Sequence, residues 1–444
     1  MRAVVTACLA ACLLAAAGPR AAPAGTAATV PLTLAEALAR AEAANPRLRA
    51  AALDARARQR AAQAEAGRRF GELRLDGGLV RNSDATLVRP MTPDLLAAGV
   101  PAMPFADNYA FWALDYRVPL VGWGTVSGAR EAARLGARAG AATAARTAAE
   151  IRHRVLATFL GVLALDEQIA ALRQELAALD TLAAHVDLGE RIGRYSRIDL
   201  LKSRVERENA AARLADLTAA RRARYADLMA LLGEQDPGAT SYSLVPVTPA
   251  PADTVPPPVP ELVATALARR SDLRAARAAA AARRAAARAA RGARLPQLSV
   301  GGRLTGVHAG TIDYDDTYWT VDARLSLPLF DMGRRRQQAR KAELEARGAD
   351  LGAVDLADRI RAEVTAAAAD VDRARGEIAA RRAALDLARE VARLEQLRYD
   401  TGRGDMDDLL HALAQRRLAE SALIRARYDL LTALDALHLA CEGE

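Results

Sequence analysis

Two short stretches of this 444-residue chain are almost the same: GRYSRIDLL, Gly193 to Leu201, and GRGDMDDLL, Gly402 to Leu410. Each begins with Gly-Arg, continues through polar residues and ends with Asp-Leu-Leu before an alanine-rich segment. A glycine followed by an acidic helix start is typical of a turn between two helices. Because the stretches are 209 residues apart, they indicate that the chain repeats one structural plan twice.

The repeat extends well beyond these two turns. The motif VPLVGWG, Val118 to Gly124, corresponds to LPLFDMG, Leu327 to Gly333, again with an offset of 209. Nearer the N-terminus, ANPRLRAA around Leu48 corresponds to RSDLRAAR around Leu273, with an offset of 225. We assign the 16 additional residues of the first copy to a loop from Asn82 to Asn108.

These correspondences divide the chain into four parts. Residues 1–24 have the charged start, apolar run and small-residue cleavage site of a signal peptide, and Cys12 also fits a lipoprotein cleavage site. Residues 25–235 form the first repeat and residues 260–444 the second. Residues 236–259 are a proline-rich linker, since the run VPVTPAPADTVPPPVP excludes regular helix and central strand.

The composition narrows the functional class. The net charge is +8, and arginine supplies almost all of the positive charge. The arginines are scattered among glutamate and aspartate without interleaved aromatic residues, which favours solvated helix surfaces over a nucleic-acid partner. The five histidines are dispersed, and no phosphate loop or nucleophile motif follows a strand. The sequence therefore predicts no enzyme, no metal site and no cofactor.

Four segments alternate between apolar and polar residues, as half-buried strands do. Each repeat supplies two of them: Leu73 to Leu79, Phe111 to Leu120, Gln297 to Leu304 and Trp319 to Leu327. The pattern fits a sheet over a core, and it also fits a barrel with lipid outside and water inside.

Two very long helices are predicted, from Val126 to Leu188 and from Gly333 to Tyr399. Apolar residues of the first recur at gaps of three and four, which is a coiled-coil seam. A helix of some 60 residues measures about 90 Å, which is longer than a globular domain is wide. Each helix ends at a repeated glycine, so the sequence predicts two long hairpins with tips at Gly193 and Gly402.

Four strands are too few to close a barrel. The two edge strands would expose unpaired backbone groups, which is costly in lipid. We therefore expect other copies of the same chain to complete the sheet.

The ordered motifs resemble the TolC-like outer membrane efflux protein family. The resemblance rests on LTLAEALARAEAANPRL near the start, the two strand-to-helix motifs, the two Gly-Arg tips and the closing RYDTGRGDMDDLLHALAQRRLAESALIRARYDLLTAL. It covers essentially the whole mature chain. It implies a mainly α fold with a small β part, in which long helical hairpins form a periplasmic tunnel. Four strands per chain would contribute to the twelve-stranded outer membrane β-barrel of a homotrimer.

The same resemblance implies a function. The chain would be a passive channel-tunnel subunit, the exit duct of a tripartite efflux pump or a type I secretion system. Its partners would be a periplasmic adaptor protein, an inner membrane transporter of RND, ABC or MFS type, and outer membrane lipid. An alternative from another class is a periplasmic adaptor or scaffold, which is also built on helical hairpins.

The resemblance also points to candidate site residues at the tips. In that family, carboxylates on the tips narrow the tunnel entrance. The matching positions are Asp199 and Asp408, while Lys202 and His411 stand where a further acid can occur. The alternative is that Asp199 and Asp408 only cap their helices.

Other tip residues belong to the same hypothesis. Asp405 and Asp407 add negative charge beside the second tip, and Arg194 and Arg403 are candidates for polar contacts that hold the entrance closed. The turn glycines are candidates for the adaptor docking surface: Gly193, Gly402 and Gly404.

Overall fold

The protein is described here from a computed structural model. The structure describes residues 30–99, 103–234, 242–247, 257–310 and 312–442. The predicted signal peptide, residues 1–24, and the candidate lipidation site at Cys12 lie outside the described residues.

The first repeat contains a short strand, two short helices, a strand pair and a long helical hairpin. In chain order its elements are β1 (Val30–Leu32), α1 (Leu34–Ala44), α2 (Pro46–Gly67), β2 (Glu72–Leu87), α3 (Pro93–Ala98), β3 (Phe105–Val121), α4 (Thr125–Arg191) and α5 (Arg197–Leu232).

The second repeat follows the same order without a counterpart of α3. Its elements are β4 (Tyr242–Leu244), α6 (Val259–Arg269), α7 (Ser271–Gly292), β5 (Gln297–Ala309), β6 (Tyr314–Ser326), α8 (Arg334–Asp400) and α9 (Met406–Cys441). Both long helices have 67 residues, and both return helices have 36.

The long helices confirm the hairpin prediction, with bounds within three residues of those expected. At 1.5 Å per residue, each measures about 100 Å. Alanine and arginine dominate them, and both residues have high helix propensity. Such a helix cannot be buried within one compact domain, so most of its stability must come from packing against parallel neighbours.

A tight turn joins each strand pair to its long helix. Trp123 and Gly124 have φ of 43° and 91°, and Met332 and Gly333 have φ of 55° and 79°. Two successive left-handed residues are strained unless one of them is glycine. The repeated sequence pattern, an apolar residue followed by glycine, therefore encodes this turn.

The four predicted strands form one antiparallel sheet with the order β2-β3-β5-β6. Both edge strands, β2 and β6, lack an outer partner within the described chain. The strands are longer than predicted, and the predicted loop from Asn82 to Asn108 was wrong at both ends. The connection is only residues 88–104, because polar residues such as Asn82 and Asp84 belong to β2, where they break the apolar alternation.

Two short parallel strands, β1 and β4, pair with each other away from the main sheet. β4 lies within the predicted linker, residues 236–259, so part of that segment is regular structure. Tyr242 and Leu244 of β4 are buried with Leu32 in a core that also contains Phe159 and Met229. This part of the linker therefore packs on the core of the first repeat before α6 begins.

One of the described helices, α4, is long and apolar enough in one 18-residue window to cross a membrane by length and composition alone. Half of that window is buried inside the chain, where α4 packs on α5, α7 and α9. A core helix passes the same test, so we do not treat α4 as a membrane span.

Candidate functional site

The two hairpin tips have the same backbone geometry. Gly193 and Gly402 are left-handed, with φ of 75° and 73°. The space around both is open, so the backbone conformation is what favours glycine there. After each glycine, an arginine N–H returns to the end of the long helix: Arg194 to the Gly189 carbonyl, and Arg403 to the Arg398 carbonyl, both at 2.8 Å. These are helix-terminating Schellman-type bonds.

The two tips of one chain touch each other. The rings of Tyr195 and Tyr399 are stacked, with centroids 5.2 Å apart. The Arg194 guanidinium donates to the Asp400 carbonyl at 2.9 Å, and the Lys202 ammonium lies 2.6 Å from an Asp407 carboxylate oxygen. One aromatic contact and two polar contacts therefore clasp the first hairpin to the second.

The tyrosine pair lies in an apolar cluster near the tips. Tyr399 is buried with Met406 and Leu409, and burial raises the pKa of the Tyr399 hydroxyl. Gly189 leaves room for the other ring, because a Cβ on it would come within 2.0 Å of Tyr195. The hydroxyls of Tyr195 and Tyr399 have no hydrogen-bond partner among the described residues, so the two rings are held by packing.

The tip acids have different local roles. Asp199 belongs to a capping box, since its carboxylate accepts from the Ser196 N–H at 3.2 Å and from the Ser196 hydroxyl at 2.8 Å. Asp405 is the N-cap of α9 and accepts from the Asp407 N–H at 3.1 Å. Asp408 is exposed and makes no ion pair or side-chain hydrogen bond with the described residues.

The predicted arginine partners are not paired with these acids inside one chain. Arg194 is engaged with the Asp400 carbonyl and stacks over the Tyr195 ring. The Arg403 side chain is exposed and forms no ion pair within the part of the chain that the structure describes. Gly404 is tightly enclosed, because a Cβ on it would come within 2.9 Å of the Tyr399 nitrogen.

Farther from the tips, a buried group of three charged side chains connects three helices. Arg417 of α9 lies 3.1 Å from Glu175 of α4 and 2.9 Å from Glu206 of α5. The side chains are only 12, 9 and 19% exposed, in that order. Burial raises the pKa of the Glu175 carboxyl, and the positive charge of Arg417 opposes that rise.

We expect Arg417→Ala to destabilise the hairpin pair. The change removes the ion-pair partner of the buried Glu175 and leaves Glu206 with only the more distant Arg213, at 3.5 Å. Breaking a buried ion pair costs about 3 kcal/mol. Thermal unfolding followed by circular dichroism measures the loss. Arg382→Ala is the matched control, because this exposed arginine of α8 has no ion pair with any residue described. Equal melting temperatures for the two variants would contradict a stabilising triad.

The four-stranded sheet has one continuous apolar face. Two rows cross all four strands, Leu73–Tyr116–Gly302–Val321 and Leu75–Leu114–Leu304–Trp319. Leu75, Val321 and Trp319 are 70, 70 and 72% exposed. A patch of this size in water would be an aggregation hazard, whereas a bilayer requires it on the outer face of a membrane sheet.

The opposite face of the same sheet is charged. Both terminal nitrogens of Arg117 donate to the Asp322 carboxylate at 2.9 Å, and Arg303 donates to Asp115 at 2.9 Å. Gly301 lies between Arg117 and Asp322 in the register, and a Cβ there would come within 2.8 Å of the guanidinium carbon. This face fits water and ions, as the lumen of a membrane barrel does.

Metal chemistry finds no support in the described part of the chain. No group of three or more histidine, cysteine, aspartate or glutamate residues there is arranged to hold an ion.

A lipid-facing sheet continuous with helical hairpins about 100 Å long defines a membrane-anchored duct-forming class of protein. The model of the outer membrane efflux protein family matches residues 37–234 and 262–441, most of both repeats. The chain therefore belongs to the outer membrane efflux protein family. It resides in the cell outer membrane, with its helical part in the periplasm.

Solved structures agree with this fold. A membrane protein from Pseudomonas aeruginosa is 23% identical, with 92% of this chain and 93% of that chain covered and a TM-score of 0.78. The outer membrane protein VceC from Vibrio cholerae is 17% identical, with coverages of 92% and 96% and a TM-score of 0.78.

The open state of the MtrE outer membrane channel of Neisseria gonorrhoeae is 20% identical, with coverages of 92% and 89% and a TM-score of 0.75. At these identities the likeness establishes the fold. No curated protein sequence matches the chain.

Proposed function

We propose that three copies of this chain assemble into one channel-tunnel, the passive exit duct of a tripartite efflux pump or a type I secretion system. Three sheets of four strands would close a twelve-stranded barrel, in which β6 of one copy pairs with β2 of the next. The twelve long and return helices of the trimer would continue the duct into the periplasm and end at six tips.

The observation that carries this proposal is the sheet. Its apolar face requires lipid, its charged face requires water, and its two edges require further strands. A barrel of three copies meets the three requirements together. A periplasmic adaptor needs no lipid-facing sheet, and a single hairpin would serve it, so that alternative is not favoured.

The proposed partners follow from the same geometry. A duct has no energy source of its own, so an inner membrane transporter of RND, ABC or MFS type would drive export. A periplasmic adaptor would hold the tips, where Gly193, Gly402 and Gly404 shape the exposed turns. The family defines channel proteins, and substrate choice would lie with the transporter.

Fractionation of cells tests the proposed function. We expect the protein in the outer membrane fraction, with slower migration in unheated than in heated detergent samples, as closed barrels show. A periplasmic protein that stays monomeric and migrates alike in both samples would contradict the proposal.

The connection between β2 and β3 provides a test of topology. The helices leave the sheet at the opposite end from residues 88–104, so this connection would lie outside the cell. An epitope inserted near Ala98, in the exposed end of α3, should be labelled by antibody on intact cells. An insertion at the exposed tip residue Arg403 is the matched control and should be labelled only after the outer membrane is permeabilised. Labelling of both sites without permeabilisation would contradict the orientation.

A further inference from the structure

A cleft of about 770 Å³ lies where the sheet passes into the helices. It lies along the first turns of α4 and the last turns of α7, two helices of the same chain that are in contact with each other. Two large apolar side chains and four arginines contribute to its lining: Trp123, Leu295, Arg130, Arg134, Arg288 and Arg291.

The apolar residues of the cleft adjoin the two inner strands of the sheet. Trp123 and Leu295 are 58% and 46% exposed, and they lie just beyond β3 and just before β5. Other large apolar side chains are exposed at the same end of the sheet: Phe70 (62%), Leu329 (87%), Phe330 (79%) and Met332 (86%). Aromatic residues at this level are typical of the boundary between hydrocarbon and water.

The polar side of the cleft has an excess of positive charge. Arg134 is paired with Glu131 at 2.6 Å, and Arg291 with Glu343 at 2.6 Å. Arg130 and Arg288 are exposed, and neither has an ion pair among the residues that the structure describes. Neither guanidinium is in an ion pair with these residues, although the hydrogen bond from Arg134 and the Arg288 charge both help to lower the pKa of the Glu131 carboxyl. Both groups can therefore contact an anion in the cleft.

Two further segments, at the end of α7 and at the start of α8, add basic residues where the helices meet the sheet. Residues Arg283 to Arg294 contain five arginines and no acid, and Arg334 to Lys341 contain five basic residues and no acid. Half of these ten are in ion pairs with nearby acids: Arg283, Arg284, Arg291, Arg335 and Lys341. The other five have no ion pair with the described residues: Arg288, Arg294, Arg334, Arg336 and Arg340. The arginines are spread along the sequence, but the fold brings these helix ends together beside the sheet. The sequence interpretation of scattered surface arginines therefore missed a basic collar.

We propose that this cleft binds an anionic phospholipid of the periplasmic leaflet of the outer membrane. Arg130 and Arg288 contact the headgroup phosphate, and Trp123 and Leu295 contact the first acyl carbons. The inference rests on the membrane location of the family and on no assumption about the exported substrate.

The residues that line the cleft favour an anionic lipid over a soluble anion. Guanidinium groups bind phosphate oxygens through two parallel hydrogen bonds, and basic residues beside a membrane attract anionic lipids. A soluble anion would leave Trp123 and Leu295 in water. The open sheet edges, where other copies of the chain would join, are β2 and β6, whereas Trp123 and Leu295 of the cleft adjoin the inner strands β3 and β5.

Calorimetric titration of the purified full chain tests the proposal. The probes are a short-chain phosphatidylglycerol, the corresponding phosphatidylcholine and inorganic phosphate, each added to protein in zwitterionic detergent. The test variant is Arg130→Gln with Arg288→Gln. The matched control is Arg173→Gln with Arg382→Gln, which removes two exposed arginines without described ion pairs from the lower parts of α4 and α8.

We expect the anionic lipid to bind at least about tenfold more tightly than the zwitterionic one. The test variant should lose about tenfold in affinity, while the control pair should retain it. Arg130→Lys with Arg288→Lys should lose less than the glutamine pair, because lysine keeps the charge but not the two parallel hydrogen bonds. Equal binding of the two lipids, equal binding of inorganic phosphate, or an equal loss in the control would overturn the proposal. If the glutamine variant fails to assemble, the comparison of lipids on the unaltered protein still decides.

Discussion

Replacing Asp408 with alanine is expected to weaken block of the reconstituted channel by divalent cations about tenfold, a change of roughly 1.4 kcal/mol. Single-channel conductance should rise as well. In the proposed trimer, three copies of Asp408 surround one axis, and a ring of carboxylates attracts cations. Asp408 has no ion pair or side-chain hydrogen bond with the described residues of its own chain, whereas Lys202 is paired with Asp407. Planar bilayer recordings, with cations added from the side of the tips, measure both quantities.

Asp199→Ala is the matched control for this experiment. The Asp199 carboxylate is committed to the capping box with Ser196, so its loss should cost about 1 kcal/mol of stability and leave cation block unchanged. If Asp408→Ala instead lowers only the melting temperature, Asp408 is a helix-start residue and the proposed gate is wrong. The fold would be unaffected by that result.

The second large effect is expected from Val321→Arg, which places a charge on the apolar face of the sheet. An arginine facing lipid near the middle of a bilayer costs about 2–4 kcal/mol, and a trimer would carry three. We expect the variant to be lost from the outer membrane fraction, with little assembled protein in unheated gels.

A residue on the other face of the same strand provides the control for that prediction. Ser326 is exposed on the charged face of β6, opposite Gln297, so Ser326→Arg adds the same side chain to water without facing another arginine. This variant should assemble normally. Similar loss of both variants would show that the sheet tolerates no arginine on either face, and the assignment of a lipid side would fail.

Repeated turn residues explain why the hairpins could be predicted. Gly193 and Gly402 stop helices that contain no proline, and the offset of 209 between them recurs at Gly124 and Gly333. A left-handed turn leaves a local signature, since few residues other than glycine adopt it. Strand ends were less predictable, because polar residues continue β2 as far as Leu87.

The tip contacts could not be predicted from the sequence. Lys202 and Asp407 are 205 residues apart, and only the packing of two hairpins brings them together. The stack of Tyr195 on Tyr399 and the triad around Arg417 depend on the same packing. The sequence could identify Asp199 and Asp408 as candidates. The structure was needed to show that the Asp199 carboxylate is bonded in the capping box with Ser196, whereas Asp408 is exposed.

The arginine collar shows the same limit at the other end of the molecule. Each basic segment on its own resembles an ordinary solvated helix surface. Their common position beside the sheet depends on the turns at Trp123 and Met332, which place the starts of α4 and α8 at one level.

Native mass spectrometry of the protein released from lipid nanodiscs tests the central claim most directly. The claim is that three copies complete one barrel because each supplies four strands with two open edges. We predict a single dominant species with the mass of three mature chains that survives mild activation. A spectrum that contains only monomers under the same mild conditions would contradict the account.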